Sequence, residues 1–320
     1  MKTLLRAAAA AGLVIAGVAH AAYPDKPIRI IVPYAPGGNI DVTARAVAPG
    51  LTEFLGQAVV VDNRGGAGGR VGTELAAKAP ADGYTLLLGS NGPLTMTPAF
   101  FPSITYDTLR DFVPTSTVSV VPLVLSVHPS LPVHDTKQLV ALAKQRAGRI
   151  TMASAGTGST THMTGELFQL LTGVKFTHVP YKGSGPALID LVGGQVDLIF
   201  DQISTSQGLI KAGKLRALGV ATQHRSGFLP GVPTMEEVGI KGFHASTYTG
   251  IFLPATSPKD AVQKVYGALI KVLDQPATRE SFARLGAEVI KSTPEEFTRR
   301  LKGDLARWVK VSEATHIKLE

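Results

Sequence analysis

Apolar positions along this chain follow two alternating periods. Residues 28–32, 58–62 and 84–90 are short runs rich in β-branched or aliphatic side chains, the signature of buried strands. Between them apolar residues return every three or four positions: Val42, Ala46, Val47 and Leu51 fall on one helical face. The second half repeats the pattern. Strand-like runs lie at 150–154, 174–179, 196–200 and 215–221, and a helix carries Met163, Leu167, Leu170 and Leu171 on its apolar positions. Residues 186–192 read as another helix, stopped by Gly193 and Gly194. Two further apolar runs, 118–127 (broken by Pro122) and 250–253, read as strands crossing between the halves, and 258–314 as mostly helical, returning to pack on the first half. The expected fold is α/β, with two domains, each a doubly wound sheet flanked by helices, and a ligand cleft between them. Domain 1 takes 22–121 plus 248–320, and domain 2 takes 122–247.

The candidate chemistry sits where strand turns to helix. After residues 28–32, Pro33, Pro36, Gly37 and Gly38 break the extended chain, and Asn39 or Ile40 opens a helix. A helix start leaves backbone N–H groups free, which makes an anion site without a cationic side chain, and glycine lets a ligand approach the backbone closely. The second half repeats the arrangement at 155–162, where Ser159, Thr160 and Thr161 are good helix-capping types. In open α/β sheets ligands bind beyond the carboxyl ends of strands, so 33–40, 65–69 and 90–92 should line one edge. The candidate ligand contacts are Tyr34, Ala35, Gly37, Gly38, Asn39, Ser90, Ala155, Gly156, Gly158, Ser159, Thr160, His162, Tyr181 and Asp201. Gly37, Gly38, Gly156 and Gly158 are expected to act through their backbone. His162 could donate to a carboxylate or orient its loop, Asp201 could meet a ligand or orient loops, and Tyr181 offers its hydroxyl and ring to the cleft. Asp41 sits four residues before Arg45, an ion-pair spacing on a helix, and Lys182 reads as a rim residue.

Composition narrows the class. The chain has 320 residues and no cysteine. Lys2 and Arg6, the apolar stretch 7–18 and Ala19-His20-Ala21 form a secretory leader with cleavage near Ala21, which sends the mature protein to the periplasm. The formal charge of +8 falls to about +6 without Lys2 and Arg6. No basic stripe is interleaved with aromatic residues, so nucleic acid is not an expected partner. Residues 63–70 look like a phosphate loop but lack its Gly-Lys-Ser/Thr ending. No nucleophile elbow, zinc-binding His-Glu-x-x-His or other metal spacing occurs, so no catalytic residue, metal or cofactor is expected. Ser159, His162 and Asp201 can be drawn as a triad, but nothing in the sequence marks an activated nucleophile.

Several motifs in order carry a resemblance. They are Tyr23-Pro24-Asp25-Lys26-Pro27, Pro33-Tyr34-Ala35-Pro36-Gly37-Gly38, Asn63-Arg64-Gly65-Gly66-Ala67-Gly68-Gly69, Asp82-Gly83-Tyr84-Thr85-Leu86-Leu87, Ala153-Ser154-Ala155-Gly156-Thr157-Gly158-Ser159, His178-Val179-Pro180-Tyr181-Lys182-Gly183 and Gly193-Gly194-Gln195-Val196-Asp197. Together with Ala212-Gly213-Lys214-Leu215-Arg216-Ala217-Leu218 and Thr293-Pro294-Glu295-Glu296-Phe297, they span nearly the whole mature chain. The set resembles the Bug family, the extracytoplasmic solute receptors of tripartite tricarboxylate transporters. The resemblance implies a two-domain periplasmic binding protein of type II-like fold. It would close on a small carboxylate, a di- or tricarboxylate, an acidic amino acid or an aromatic acid, and deliver it as a monomer to membrane permease subunits. It also implies that backbone groups and water at the two glycine loops hold the ligand, without an arginine clamp. Asn39-Ile40, Tyr248, Thr161-His162 and Gln202-Ile203-Ser204 depart from or vary within the family pattern, so the particular ligand does not carry over. A receptor serving a membrane signalling sensor would look the same, and an exported hydrolase or transferase is the remaining alternative.

Overall fold

The computed structural model describes residues 23–315; the leader expected over 1–21 lies outside them. In chain order the elements are β1 Ile28–Val32, α1 Asn39–Leu55, β2 Val59–Asn63, α2 Arg70–Ala77, β3 Thr85–Ser90, α3 Thr97–Phe100, β4 Phe112–Val127, α4 Thr136–Gln145, β5 Thr151–Ser154 and α5 Thr160–Thr172. Then come β6 Thr177–Pro180, α6 Ser184–Val192, β7 Leu198–Gln202, α7 Ile203–Lys211, β8 Arg216–Val220, β9 Ser246–Pro254, α8 Lys259–Asp274, α9 Pro276–Arg284, β10 Glu288–Val289 and α10 Pro294–Thr315.

Two sheets form two lobes of like construction. In the first, β2, β1 and β3 are parallel, β9 runs antiparallel to β3, and the first part of β4 pairs with β9 and β10. In the second, β6, β5 and β7 are parallel, and the last part of β4 lies antiparallel between β7 and β8. Each lobe thus places its first local strand, β1 or β5, between the next two. That is a topological switch point, where the loops after neighbouring strands splay apart and leave a crevice. β1 leads into α1 and β5 into α5 at these two points.

β4 belongs to both sheets. Phe112–Pro122 pair with β9, and Leu123–Val127 with β7. The hydrogen-bonded path through the strands is therefore continuous, and the change of partner falls at Pro122. Proline lacks the N–H that a central ladder position needs, so a break there costs the sheet little. The crossing strand is longer than the 118–127 run because Val113, Pro114 and the buried Thr115–Thr117 segment extend it toward β9. The return chain enters at Ala245, bonded to Ala221 and Leu123, and continues as β9.

The apolar pattern explains these elements. All six residues of β3 are buried, because its sheet is covered on both faces. Ile28, Ile30 and Val32 of β1 pack with Ala44, Val47 and Leu51 of α1 and with Val265, Leu269 and Leu273 of α8 in the main core of lobe 1. Phe168 of α5 meets Phe200 of β7 and Phe243 in lobe 2. Phe297 of α10 lies on β9 at Gly250, where a Cβ would come within 2.3 Å of its ring. The long C-terminal helix thus returns to lobe 1. One boundary differs from the sequence pattern. Val174 and Phe176 are buried ahead of β6 rather than within it. The chain after β3 winds through a π-type turn at Gly92–Met96 into α3, where Leu94 and Phe100 fill core positions. Among the described residues no helix is long and apolar enough to cross a membrane.

Candidate ligand site

Between the lobes lies a cavity lined by Tyr34, Gly38, Asn39, Ile40, Ser90, Ala155, Ser159, Thr160, Thr161, Ser184, Gln202 and Thr247. Four helix starts meet there: α1 after Gly38, α5 after Ser159, α6 at Ser184 and α7 after Gln202. The first four N–H groups of a helix have no partner within it, and its dipole puts partial positive charge at that end. No charged side chain lines the cavity. The enclosed space is about 20 Å³, room for about one water molecule, so the lobes stand closed on each other.

Seven of the expected contacts come to this lining: Tyr34, Gly38, Asn39, Ser90, Ala155, Ser159 and Thr160. Asn39 is the most telling. Its amide oxygen accepts from Ser204 Oγ at 2.8 Å across the cleft, while its buried Nδ2 has no partner in the protein. Turning the amide would only orphan the other atom. An unmatched buried polar group is costly, which makes this one suited to a ligand or a bound water. The Tyr34 hydroxyl donates to Gly68 O, and burial pushes its pKa up, so it stays neutral.

The other expected contacts lie outside this lining, and their backbone N–H or side-chain groups are bonded within the protein. Gly37 N–H donates to Asp41, Gly156 N–H to Ser154 Oγ, Gly158 N–H to His162 Nδ1, and Ala35 N–H to Lys182 O. These backbone donors fold the loops and join the lobes; they do not face the cavity. Asp41 is the organiser of the first loop. Burial disfavours its charge, but bonds from Arg45, Gly37 and Asn63 outweigh that and hold its carboxyl below the usual range. Tyr181 is not part of the lining and donates its hydroxyl to Asp190. Asp201 is fully buried behind the cavity wall and accepts from Ser184, Thr205 and Ser206. Burial raises its pKa, and its visible task is to aim Ser184. Lys182 is exposed.

Ser184, Gln202, Thr247, Ile40 and Thr161 line the cavity without having been singled out as contacts. Gln202 donates to Thr247 Oγ1 at 2.8 Å, linking the end of β7 to the start of β9. A polar residue at a helix start after a strand was the available signal for Gln202. Nothing in local spacing marks Thr247.

Glycine shapes the closed interface. A Cβ at Gly68 would lie 2.1 Å from Thr157 O, at Gly156 2.6 Å from Gly68 N, and at Gly185 2.2 Å from Pro36 O. Closure is backbone against backbone at these points. It is fastened by Ala35 N–H to Lys182 O at 2.9 Å, Thr97 Oγ1 to Gly158 O at 3.2 Å and Thr160 Oγ1 to Asn91 Oδ1 at 3.2 Å.

Behind the second loop two imidazoles stack, His162 on His178, with centroids 3.9 Å apart. Because His162 Nδ1 accepts from Gly158 N–H, its ring proton is assigned to Nε2, 3.5 Å from Glu166 Oε1. His178 Nε2 meets Ser154 Oγ at 2.6 Å. Burial, and then the neighbouring His162, push the His178 pKa down from 6.5 to about 4. The unfolded chain therefore takes up this proton first. Stability should fall as pH drops from about 6.5 toward 4, the window set by the two values. Melting temperatures measured over that range should show a shallower acid slope for His178→Gln than for the parent. Parallel slopes would mean that His178 does not carry the effect.

Comparison with known proteins agrees with this architecture. The family described as "Tripartite tricarboxylate transporter family receptor" matches residues 43–317. Protein BugT of Bordetella pertussis is 41% identical over 308 residues, 96% of this chain and 94% of BugT. The structure of periplasmic binding protein BugD superposes with a TM-score of 0.90 at 35% identity, covering 93% of this chain and all of BugD. Rpa4515 of R. palustris, solved with adipate, gives 0.88 at 34% identity, covering 92% of this chain and 99% of its own. MatC of Rhodopseudomonas palustris, solved with bound malate, gives 0.87 at 32% identity, covering 90% and 99%.

Proposed function

The chain belongs to the tripartite tricarboxylate transporter receptor family, and from that premise we propose that it captures a small carboxylate between its lobes and passes it to a membrane permease. The fold is that of the two-domain periplasmic binding proteins. The observation that carries the reading is the meeting of four helix N-termini on a cavity lined by hydroxyls and amides, with no cationic side chain. Each such terminus favours an anion by about 0.3–1 kcal/mol, and up to about 2 when partly buried. Each hydrogen bond to a charged acceptor adds roughly 1.5–3 kcal/mol. Anion binding needs nothing more. The malate and adipate held by two relatives make dicarboxylates the first class to test.

In this reading the contacts are the twelve lining residues, with Asn39, Ser159, Thr160, Ser184 and Gln202 supplying polar groups at the helix ends. The lobes are domain 1, residues 22–121 plus 248–320, and domain 2, residues 122–247; their relative angle sets the room a ligand finds. The protein works as a monomer in the periplasm after removal of its leader, and it binds without turnover.

A thermal-shift screen of mono-, di- and tricarboxylates, acidic amino acids and aromatic acids tests the proposal. A true ligand at a hundred times its dissociation constant should add about 2.7 kcal/mol of apparent stability. The reading fails if a different solute class gives the shift and no carboxylate does, or if a hit is chemically converted on incubation.

A further inference from the structure

The Asn91 side chain bonds Thr160 of the cavity wall with its oxygen and Ser246 O with its amide, and it also lines a second, larger groove of about 520 Å³. Both lobes build this groove. α10 and Tyr248 of β9 form one side, while α5 and residues 221–224 form the other. Its apolar part is Met96 and Met163, which pack with Phe100 and Phe101 and carry Trp308 against them. Its polar part is cationic. The Arg300 guanidinium lies 3.9 Å from the centre of the Tyr248 ring, and Arg307 lies 5.3 Å from the centre of the Trp308 ring. The one carboxylate on this wall, Asp304, accepts from the Tyr248 hydroxyl at 2.7 Å and stands 3.8 Å from Arg307. Arg300 has no carboxylate partner among the described residues. Two guanidinium groups thus face one acid whose charge is already shared.

We propose that this groove is a second ligand site and that it takes a small aromatic carboxylate. The chemistry matches at both ends. A guanidinium over a ring and without a carboxylate of its own has N–H groups to offer a ligand carboxylate in two parallel bonds. An aromatic ring gains from the thioethers of Met96 and Met163 and from the indole of Trp308. The volume suits an organic molecule of ordinary size, and the mixed apolar lining with a few placed polar groups is that of ligand pockets generally. The uncharged interlobe cavity, by contrast, holds no cation and little space. An occupant of the groove touches both lobes, so it favours the closed arrangement and should tighten binding in the cavity, with the reciprocal effect equal by linkage. The groove does not depend on the carboxylate reading of the cavity.

Trp308 is the chain's one tryptophan, so its fluorescence reports on the groove directly. The probe is 4-nitrobenzoate, an aromatic carboxylate that quenches indole, with nitrobenzene as the uncharged control. The full mature protein should show saturable quenching by 4-nitrobenzoate and only linear, collisional quenching by nitrobenzene. The double variant Arg300→Gln/Arg307→Gln, its fold checked by circular dichroism, should bind at least tenfold more weakly. Lys302→Gln, which removes an exposed cation of α10 outside the groove lining, should leave quenching intact. Non-saturating quenching, or equal affinity in the double variant, overturns the proposal. So does an equal loss of affinity in Lys302→Gln, which would mean general charge attraction and no built site.

Discussion

Gly185→Ala should leave both lobes folded and still lower ligand affinity by about a hundredfold or more, roughly 2.7 kcal/mol. Gly185 is the second residue of α6, where alanine is the better helix former, so the lobe itself gains if anything. The new methyl would lie 2.2 Å from Pro36 O of the other lobe. The obstacle is backbone, which cannot rotate out of the way as a side chain would. The substitution therefore acts on the closed arrangement alone, and an affinity that depends on closure falls with the closed population. Calorimetry with the carboxylate found by thermal shift, alongside small-angle scattering with and without ligand, tests this. Unchanged affinity would mean that the bound state does not bring Pro36 against Gly185.

Asn39→Asp is the sharper test of how the anion is held. It is expected to reduce carboxylate affinity a hundredfold to a thousandfold, roughly 3–4 kcal/mol, by removing a donor and adding a like charge. The same change should not destabilise the fold. An acid in the first turn of α1 suits the helix dipole, and a carboxylate still accepts from Ser204 Oγ. Binding and stability thus separate, which a merely damaged protein would not show. Melting temperature and calorimetry on the one variant give both readings. If the carboxylate binds as well as before, Asn39 does not face it and the orphaned amide has another explanation.

What the sequence reveals and what it hides follow one physical line. Strand-to-helix switches are local, so the starts of α1 and α5 were legible in residues 33–40 and 155–162, and Asn39, Ser159 and Thr160 with them. The doubly wound halves were legible for the same reason, since runs of period two and period 3.6 alternate in order. Partnerships across the fold are not local. Gly156 and Gly158 look like free backbone donors until Ser154 and His162 are seen to take their N–H groups. Tyr181 looks like a cleft residue until Asp190, nine positions on, claims its hydroxyl. Asp201 carries the chemistry of a ligand contact, yet three hydroxyls and the Gln202 backbone N–H already occupy it. Ser184 and Thr247 went unmarked because only closure brings α6 and the start of β9 to the same cavity.

The shared strand β4 bears on how the chain reaches this state at all. Neither lobe has a complete sheet of its own, so melting one strips a strand from the other, and the molecule has reason to unfold as a single cooperative unit. The ladder from Phe112 opposite Pro254 to Pro122 opposite Ser246 encloses the whole second lobe in the loop it closes. Such a pairing carries its entropy cost before it repays any contact, so the first lobe's sheet is completed late and slowly.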